Sequence, residues 1–241
     1  MSLAENIAGV RARIDAAARE VGRRPEEITL VAATKVQTSQ TIREAIAAGI
    51  TVCGENRVQE MTAHLADHAY EGAKLHFIGH LQTNKVKYVV GQVDLIESVG
   101  SAHLLQAIEA QAAKLELVQD ILLEINVGGE LSKSGIAPEQ LPELAAQAAA
   151  CPHVRLRGLM AIPPVAAEPG ANRHFFAQMR QFFVDIRTIL DDNVSVIDCL
   201  SMGMSQDFED AVREGATLVR VGTALFGPRP PMASQLQRSP E

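Results

Sequence analysis

Cysteine is scarce in this chain, and the three present, Cys53, Cys151 and Cys199, have neither metal-ligand nor redox spacing. Disulfide scaffolds and cysteine-ligated metals are thereby disfavoured, each thiol is expected to be buried and inert, and a reduced, cytoplasmic setting follows. Positive charge is also short: 22 Lys and Arg against 29 Asp and Glu give a net charge of −7. That balance argues against general nucleic-acid or membrane-surface binding, although a local pocket can still take a small anion. No uncharged apolar run approaches a membrane span, and the N-terminus meets Glu5 before any signal-like apolar core. Tyrosine is limited to Tyr70 and Tyr88, both in stretches that read as helical.

Hydrophobic residues make up 47% of the 241 residues, enough for one large core. Leu3, Ile7, Val10, Ile14, Ala17 and Val21 recur at steps of four and three, the stripe of a helix on the exterior or base of the fold. Ser2 with Glu5 reads as its capping box and Gly22 as its stop. Short apolar runs then alternate with helical patterns. The expected strands are 28–34, 50–53, 75–78, 94–98, 118–127, 154–162, 194–199 and 217–224. Helices are expected between them, including 86–90, a Pro138-initiated helix to Ala150, and a Phe-rich helix from Phe175 to Leu190 whose apolar face is read as outer-layer core.

Eight strands alternating with helices predict a single-domain (β/α)8 barrel of the TIM type over residues 1–227, with an extra N-terminal helix and a frayed tail over 228–241. A doubly wound open sheet is the alternative. It would usually place a glycine-rich phosphate turn after the first strand, where this chain has Lys35.

In such a barrel the site lies at the carboxyl ends of the strands. Those ends read Lys35, Asn56, Gly79-His80, Ser98, Asn126, Met160, Ser201 and Arg220 to Thr223. Lys35 is either a partly desolvated amine nucleophile suited to Schiff-base chemistry or a lysine snorkelling to solvent. Ser201 and Gly203 after one strand, with Gly222 and Thr223 after another, form two small-residue turns that suit a phosphate. Arg220 needs an acceptor, because an unpaired charge in an apolar strand is costly. Lysine, phosphate turns and arginine together match the aldehyde, phosphate and ring nitrogen of pyridoxal 5′-phosphate. His80 either lines the pocket or plays a structural part. Lys85, Lys87 and Lys133 read as solvated, with ligand contact left open for Lys133.

Several stretches resemble the pyridoxal phosphate homeostasis proteins, the YggS/PROSC type. They are Ala33-Thr-Lys35, Gly54-Glu-Asn56 with Val58-Gln-Glu60, His76-Phe-Ile-Gly-His-Leu-Gln82, Ser132-Lys-Ser-Gly135, Gly158-Leu-Met160, Leu200-Ser-Met-Gly-Met-Ser205 and Val219-Arg220 with Gly222. Arg57, where relatives often carry tyrosine, and His80, where many carry proline, depart from the pattern. The resemblance implies a barrel like the N-terminal domain of alanine racemase, with the cofactor held as an aldimine on Lys35. It implies phosphate contacts from Ser201, Gly203, Gly222 and Thr223, Arg220 at the ring nitrogen and Asn56 near the ring. It also implies a role in vitamin B6 homeostasis without established turnover. A monomer that delivers the cofactor to apoenzymes is the expectation. The alternatives are an amino-acid racemase with Lys35 as sole base, and a cofactor-free, aldolase-like Schiff-base enzyme. A racemase would want a second base, usually tyrosine from an added domain.

Overall fold

Strands buried on both faces appear as nearly continuous apolar runs, and the eight such runs pair in parallel. The computed structural model describes residues 2–130, 134–166, 168–190 and 197–228. The strands are β1 (Thr29–Ala33), β2 (Val52–Glu55), β3 (Lys74–Phe77), β4 (Leu95–Val99), β5 (Gln119–Ile125), β6 (Val154–Ala161), β7 (Cys199–Ser201) and β8 (Leu218–Val221). They run in sequence order and close when β8 pairs with β1, with Thr29 opposite Leu218 and Val31 opposite Arg220. The expected TIM-type barrel is the observed fold.

Period-two alternation splits each strand between two environments. Outward residues such as Ala32, Cys53, Phe77, Ile96, Leu123, Leu159 and Val219 join the main core beneath the helices. Inward residues Val31, Val52, Leu95, Leu122, Met160 and Leu218 form a separate apolar plug inside the barrel. Inward polar residues share the barrel interior with this plug, on the side of its mouth.

Helix α1 (Leu3–Glu20) begins at the expected capping box, with Glu5 N–H donating to Ser2 Oγ and Ser2 N–H to Glu5 Oε2. It buries Ile7, Val10, Ile14, Ala17 and Ala18, while Val21 caps the helix and is exposed. Helices α2 (Ser39–Ala47), α3 (Val58–Ala66), α4 (Ala102–Lys114), α5 (Leu141–Ala149), α6 (Arg173–Ile189), α7 (Phe208–Arg213) and α8 (Thr223–Phe226) follow strands 1, 2, 4, 5, 6, 7 and 8. The extra helix packs against α2, α7 and α8, covering the seam where the barrel closes. There Asn6 Nδ2 donates to Leu225 O at 2.9 Å, and Arg13 grips Glu209 through two bonds of 2.9 and 2.7 Å.

Three elements differ from expectation. The helix expected at 86–90 is a 3-10 turn over Thr83–Tyr88 that buries only Val86, a tighter winding suited to such a short connection. β7 occupies Cys199–Ser201, just where the run expected at 194–199 ends; residues 191–196 lie outside the described set. β8 stops at Val221 because Gly222 leaves the extended region and Thr223 opens α8. In the Phe-rich α6, Phe176, Met179 and Ile186 are fully buried, and Phe175, Phe182 and Phe183 pack on the core at its margin. Lys133 and the expected tail from residue 229 fall outside the described residues.

Candidate functional site

At the carboxyl ends of the strands lie two adjoining cavities of about 420 and 340 Å³ that share Ala33, Lys35, Met204 and Arg220. Lys35 stands just beyond β1 and is half-buried. The chain turns sharply behind it. Val36 has φ +61°, a conformation that costs a β-branched residue about 1–3 kcal/mol. Two bonds maintain the turn: Val36 N–H donates to Glu60 Oε2 at 2.9 Å, and Gln37 N–H to Thr34 O at 3.0 Å. In front of the lysine, Thr34 Oγ1 donates to Glu55 Oε1 at 2.6 Å. That same carboxylate oxygen accepts from the Tyr70 hydroxyl at 2.9 Å, and the hydroxyl lies 3.1 Å from His64 Nδ1. This cluster sits on the outer face of the barrel wall. Burial and the Glu55 charge push the Tyr70 phenol up, while the Glu55 hydrogen bond raises His64 against the effect of its burial.

Inside the barrel, His76, Glu97, Ser201 and Arg220 form a continuous hydrogen-bonded chain. His76 Nδ1 lies 2.7 Å from Glu97 Oε1, Ser201 Oγ donates to Glu97 Oε2 at 2.5 Å, and Arg220 Nη1 donates to Ser201 Oγ at 2.5 Å. Arg220 Nη2 donates to Ala161 O at 2.8 Å. All four side chains are buried. Burial alone would raise the Glu97 carboxyl, but His76, Arg220 and the Ser201 hydroxyl outweigh it and hold the group below its ordinary value. Burial lowers the Arg220 guanidinium, and the charges of Glu97, Glu124 and Asp207 oppose that effect. The arginine therefore has the acceptors its position demands, while its side chain still lines both cavities.

The larger cavity ends where two turns meet. Ser205, following β7, accepts from Gly222 N–H and Ala224 N–H, each at 3.2 Å, and so ties its turn to the start of α8. Asp207 braces the first turn by accepting from Met204 N–H and from Asn172 Nδ2, both at 2.8 Å. Ser205, Gly222, Thr223 and Ala224 all line this end. The smaller cavity is bordered by Asn56, Gly79, His80, Glu124 and Ser134. His80 Nδ1 and Ser134 Oγ are hydrogen-bonded at its wall, 3.1 Å apart. Gly79 has to be glycine, since an added Cβ would sit 2.2 Å from Asn56 O.

Of the expected contacts, Lys35, Asn56, Arg220, Gly222 and Thr223 line the two cavities, as does His80. Ser201 and Gly203 do not. Ser201 shares the inward face of β7 with Cys199, so its hydroxyl points into the barrel and is taken by Glu97 and Arg220. Gly203, at φ +90°, turns the chain against α7, where a Cβ would lie 2.5 Å from Ala211 Cβ. Ser98 and Asn126 also lie away from the cavities. Ser98 is buried within β4, and Asn126 donates to Glu130 O at 2.8 Å within its own loop. Among the lining residues that sequence reasoning did not single out are Ser205 and Glu124. Glu124 was findable from alternation, standing two residues beyond inward-facing Leu122. Ser205 lay inside the motif but became visible as a lining residue only once the two turns met.

Residues 6–230 match the family described as the N-terminal domain of alanine racemase. A pyridoxal phosphate homeostasis protein from Aquifex aeolicus is 43% identical over 234 residues, covering 95% of this chain and 99% of its own. The structure of PipY from Synechococcus elongatus with PLP bound superimposes with a TM-score of 0.79 at 34% identity, over 94% of this chain and all of that one. An alanine racemase from Clostridium difficile shares the fold, with a TM-score of 0.69 at 15% identity, over 95% of this chain and 57% of that one.

Proposed function

The chain belongs to the family of the pyridoxal phosphate homeostasis proteins, and from that premise we propose that it holds pyridoxal 5′-phosphate at the barrel mouth and serves the cell's supply of that cofactor. The observation that carries this reading is the convergence of Lys35, Arg220 and the Ser205–Gly222–Thr223 turns on two adjoining cavities. The donor set suits the group. An amine and a guanidinium stand at the shared wall, small-residue turns close one end, and the buried Asn56 Oδ1, which has no partner among the described residues, borders the other. When bound, the cofactor supplies an aldehyde that reacts with amines and a ring that withdraws electrons.

In this reading Lys35 Nζ would be the amine that holds the cofactor through its aldehyde. Its aim is set by the Val36 turn and the Glu60 carboxylate. The turns at Ser205, Gly222 and Thr223 receive the phosphate, and Asn56 borders the ring. Arg220 would stand toward the ring, and as a permanent cation it would disfavour a proton on the ring nitrogen. Such a ring is a weak electron sink, which suits holding the cofactor better than driving chemistry with it. Neither tyrosine lines the cavities: Tyr70 is committed to Glu55, and Tyr88 ends a 3-10 turn, 44% exposed. We therefore favour a carrier, acting as a monomer and passing the cofactor to apoenzymes, over a racemase. Among the described residues no helix is long and apolar enough to cross a membrane.

Adding the cofactor to purified protein should produce the visible absorption of a lysine–aldehyde conjugate, and Lys35→Ala should abolish it. A band that survives Lys35→Ala removes the covalent assignment. Lys35-dependent turnover in a screen of D- and L-amino acids would overturn the carrier role.

A further inference from the structure

Glu124 is a buried carboxyl for which the fold and the cofactor grip leave no task. It points inward from β5 into the cavity it shares with Lys35, Asn56, His80 and Arg220. The residue is 6% exposed, and its Oε2 is fully enclosed without a hydrogen-bond partner among the described residues. Burying an unpaired carboxylate is costly, so such a group is normally paired or neutral.

The surroundings offer little relief. Among the described residues, the other charged and titratable groups lining this space are Lys35 at the end of β1, His80 beyond β3 and Arg220 on β8, with His76 on β3 and Glu97 on β4 on the same inward side of the barrel. His76 and Glu97 are bonded to one another, and Glu97 is bonded to Ser201 as well. The bonds of Arg220 go to Ser201 and Ala161, so it acts on Glu124 through its charge alone. The neighbours Met160 on β6 and Ile162 just beyond it are apolar. Gly100 and Gly135 pack closely overhead, with a Cβ at Gly100 falling 3.7 Å from Glu124 Oε2.

We propose that Glu124 is the proton-exchanging group of this cavity, binding a proton as the anionic cofactor enters and releasing it as the cofactor leaves. The inference rests on the cofactor reading above. Phosphate and ring oxygen bring negative charge into the cavity and displace water, and both effects disfavour a carboxylate. The group is already poised for exchange, since burial pushes it up to about 7 while Arg220 draws it back. A carboxyl that gains a proton on binding makes affinity fall as pH rises, from its value in the free protein towards its higher value in the complex. The limit is about tenfold per pH unit for one proton. Loading is favoured on the acid side of neutrality and release on the alkaline side.

The test compares the wild-type protein with Glu124→Gln, which cannot titrate and has nearly the same shape. Pyridoxal 5′-phosphate is titrated spectroscopically between pH 6.5 and 8.5, and proton uptake is measured by calorimetry at pH 7.5 in two buffers of different ionisation enthalpy. Ionisations of the cofactor and of Lys35 are common to both proteins, so the difference isolates Glu124. We expect the wild type to take up several tenths of a proton more per cofactor bound, and to lose severalfold more affinity between pH 7 and 8. Glu124→Leu should match the flatter profile of Glu124→Gln. Equal proton uptake with parallel pH profiles would overturn the proposal while leaving cofactor binding intact. Absence of binding by the wild type at every pH would instead overturn the cofactor reading, and this inference with it.

Discussion

Arg220 and Glu97 are joined through Ser201 inside the barrel, with a direct separation of 3.8 Å between Nη1 and Oε2. Buried pairs of this kind are weak net stabilisers, but removing one partner strands the other and costs about 3–5 kcal/mol. Arg220→Ala should therefore lower stability by about that amount as well as weaken cofactor binding, as read from urea unfolding and absorption titration. The double variant Glu97→Gln/Arg220→Ala should regain part of the stability without regaining the binding. If Arg220→Ala unfolds within about 1 kcal/mol of wild type, the arginine is not the counter-charge of Glu97. Separating stability from affinity in this way keeps a structural role from passing as a ligand contact.

At the scale of an element, the turn after β1 has the most local strain tied to a functional side chain. Val36 stays at φ +61° because Glu60, one turn into α3, accepts its N–H. Glu60→Ala leaves that donor without its acceptor and should cost about 1–2 kcal/mol. Cofactor affinity should drop severalfold, because Lys35 is no longer aimed. Val36→Gly keeps the bond and removes the side-chain strain, against a glycine penalty of roughly 0.5–1 kcal/mol, so its stability should stay within about 1 kcal/mol of wild type. An unchanged cofactor affinity in Glu60→Ala would show that the turn does not position Lys35. The same strand–turn–helix logic was largely legible beforehand: β1 lies within the expected 28–34 run, and α2 fills the helical stretch expected between the first two strands. The strain at Val36 was not legible, because its acceptor sits 24 residues away on another element.

For the whole molecule, closure decides whether there is a site at all. Lys35 follows β1 and Arg220 lies in β8, and these strands meet only when the barrel closes. Helix α1 covers that seam with Ile14 at 3% exposed and Ala18 fully buried. Ile14→Ala should cost about 2–5 kcal/mol through the cavity it leaves. At about 2–4 °C per kcal/mol for a chain of this size, the melting temperature should fall by roughly 4–20 °C. Bound cofactor should recover part of that loss, since a ligand selective for the closed state stabilises it. A melting temperature unmoved by Ile14→Ala would show that α1 does not hold the seam.

By itself, the sequence determined the eight β/α units, the capped helix before them, and the candidate lysine and arginine at the strand ends. Each is written locally, as apolar runs for strands buried on both faces, as 3.6-residue periodicity, or as a charge set against apolar neighbours. Tertiary structure alone decided which strand-end residues face one another. Ser201 is turned inward to Glu97, 104 residues away, while Ser205 bridges to Gly222 and Ala224 where two turns meet. Glu124 reads as an ordinary strand residue until closure sets it, without a hydrogen-bond partner among the described residues, in a cavity with Arg220 and Lys35. The physical reason is that alternation along a strand fixes which side a residue faces, whereas its partners are set by the register and closure of all eight strands.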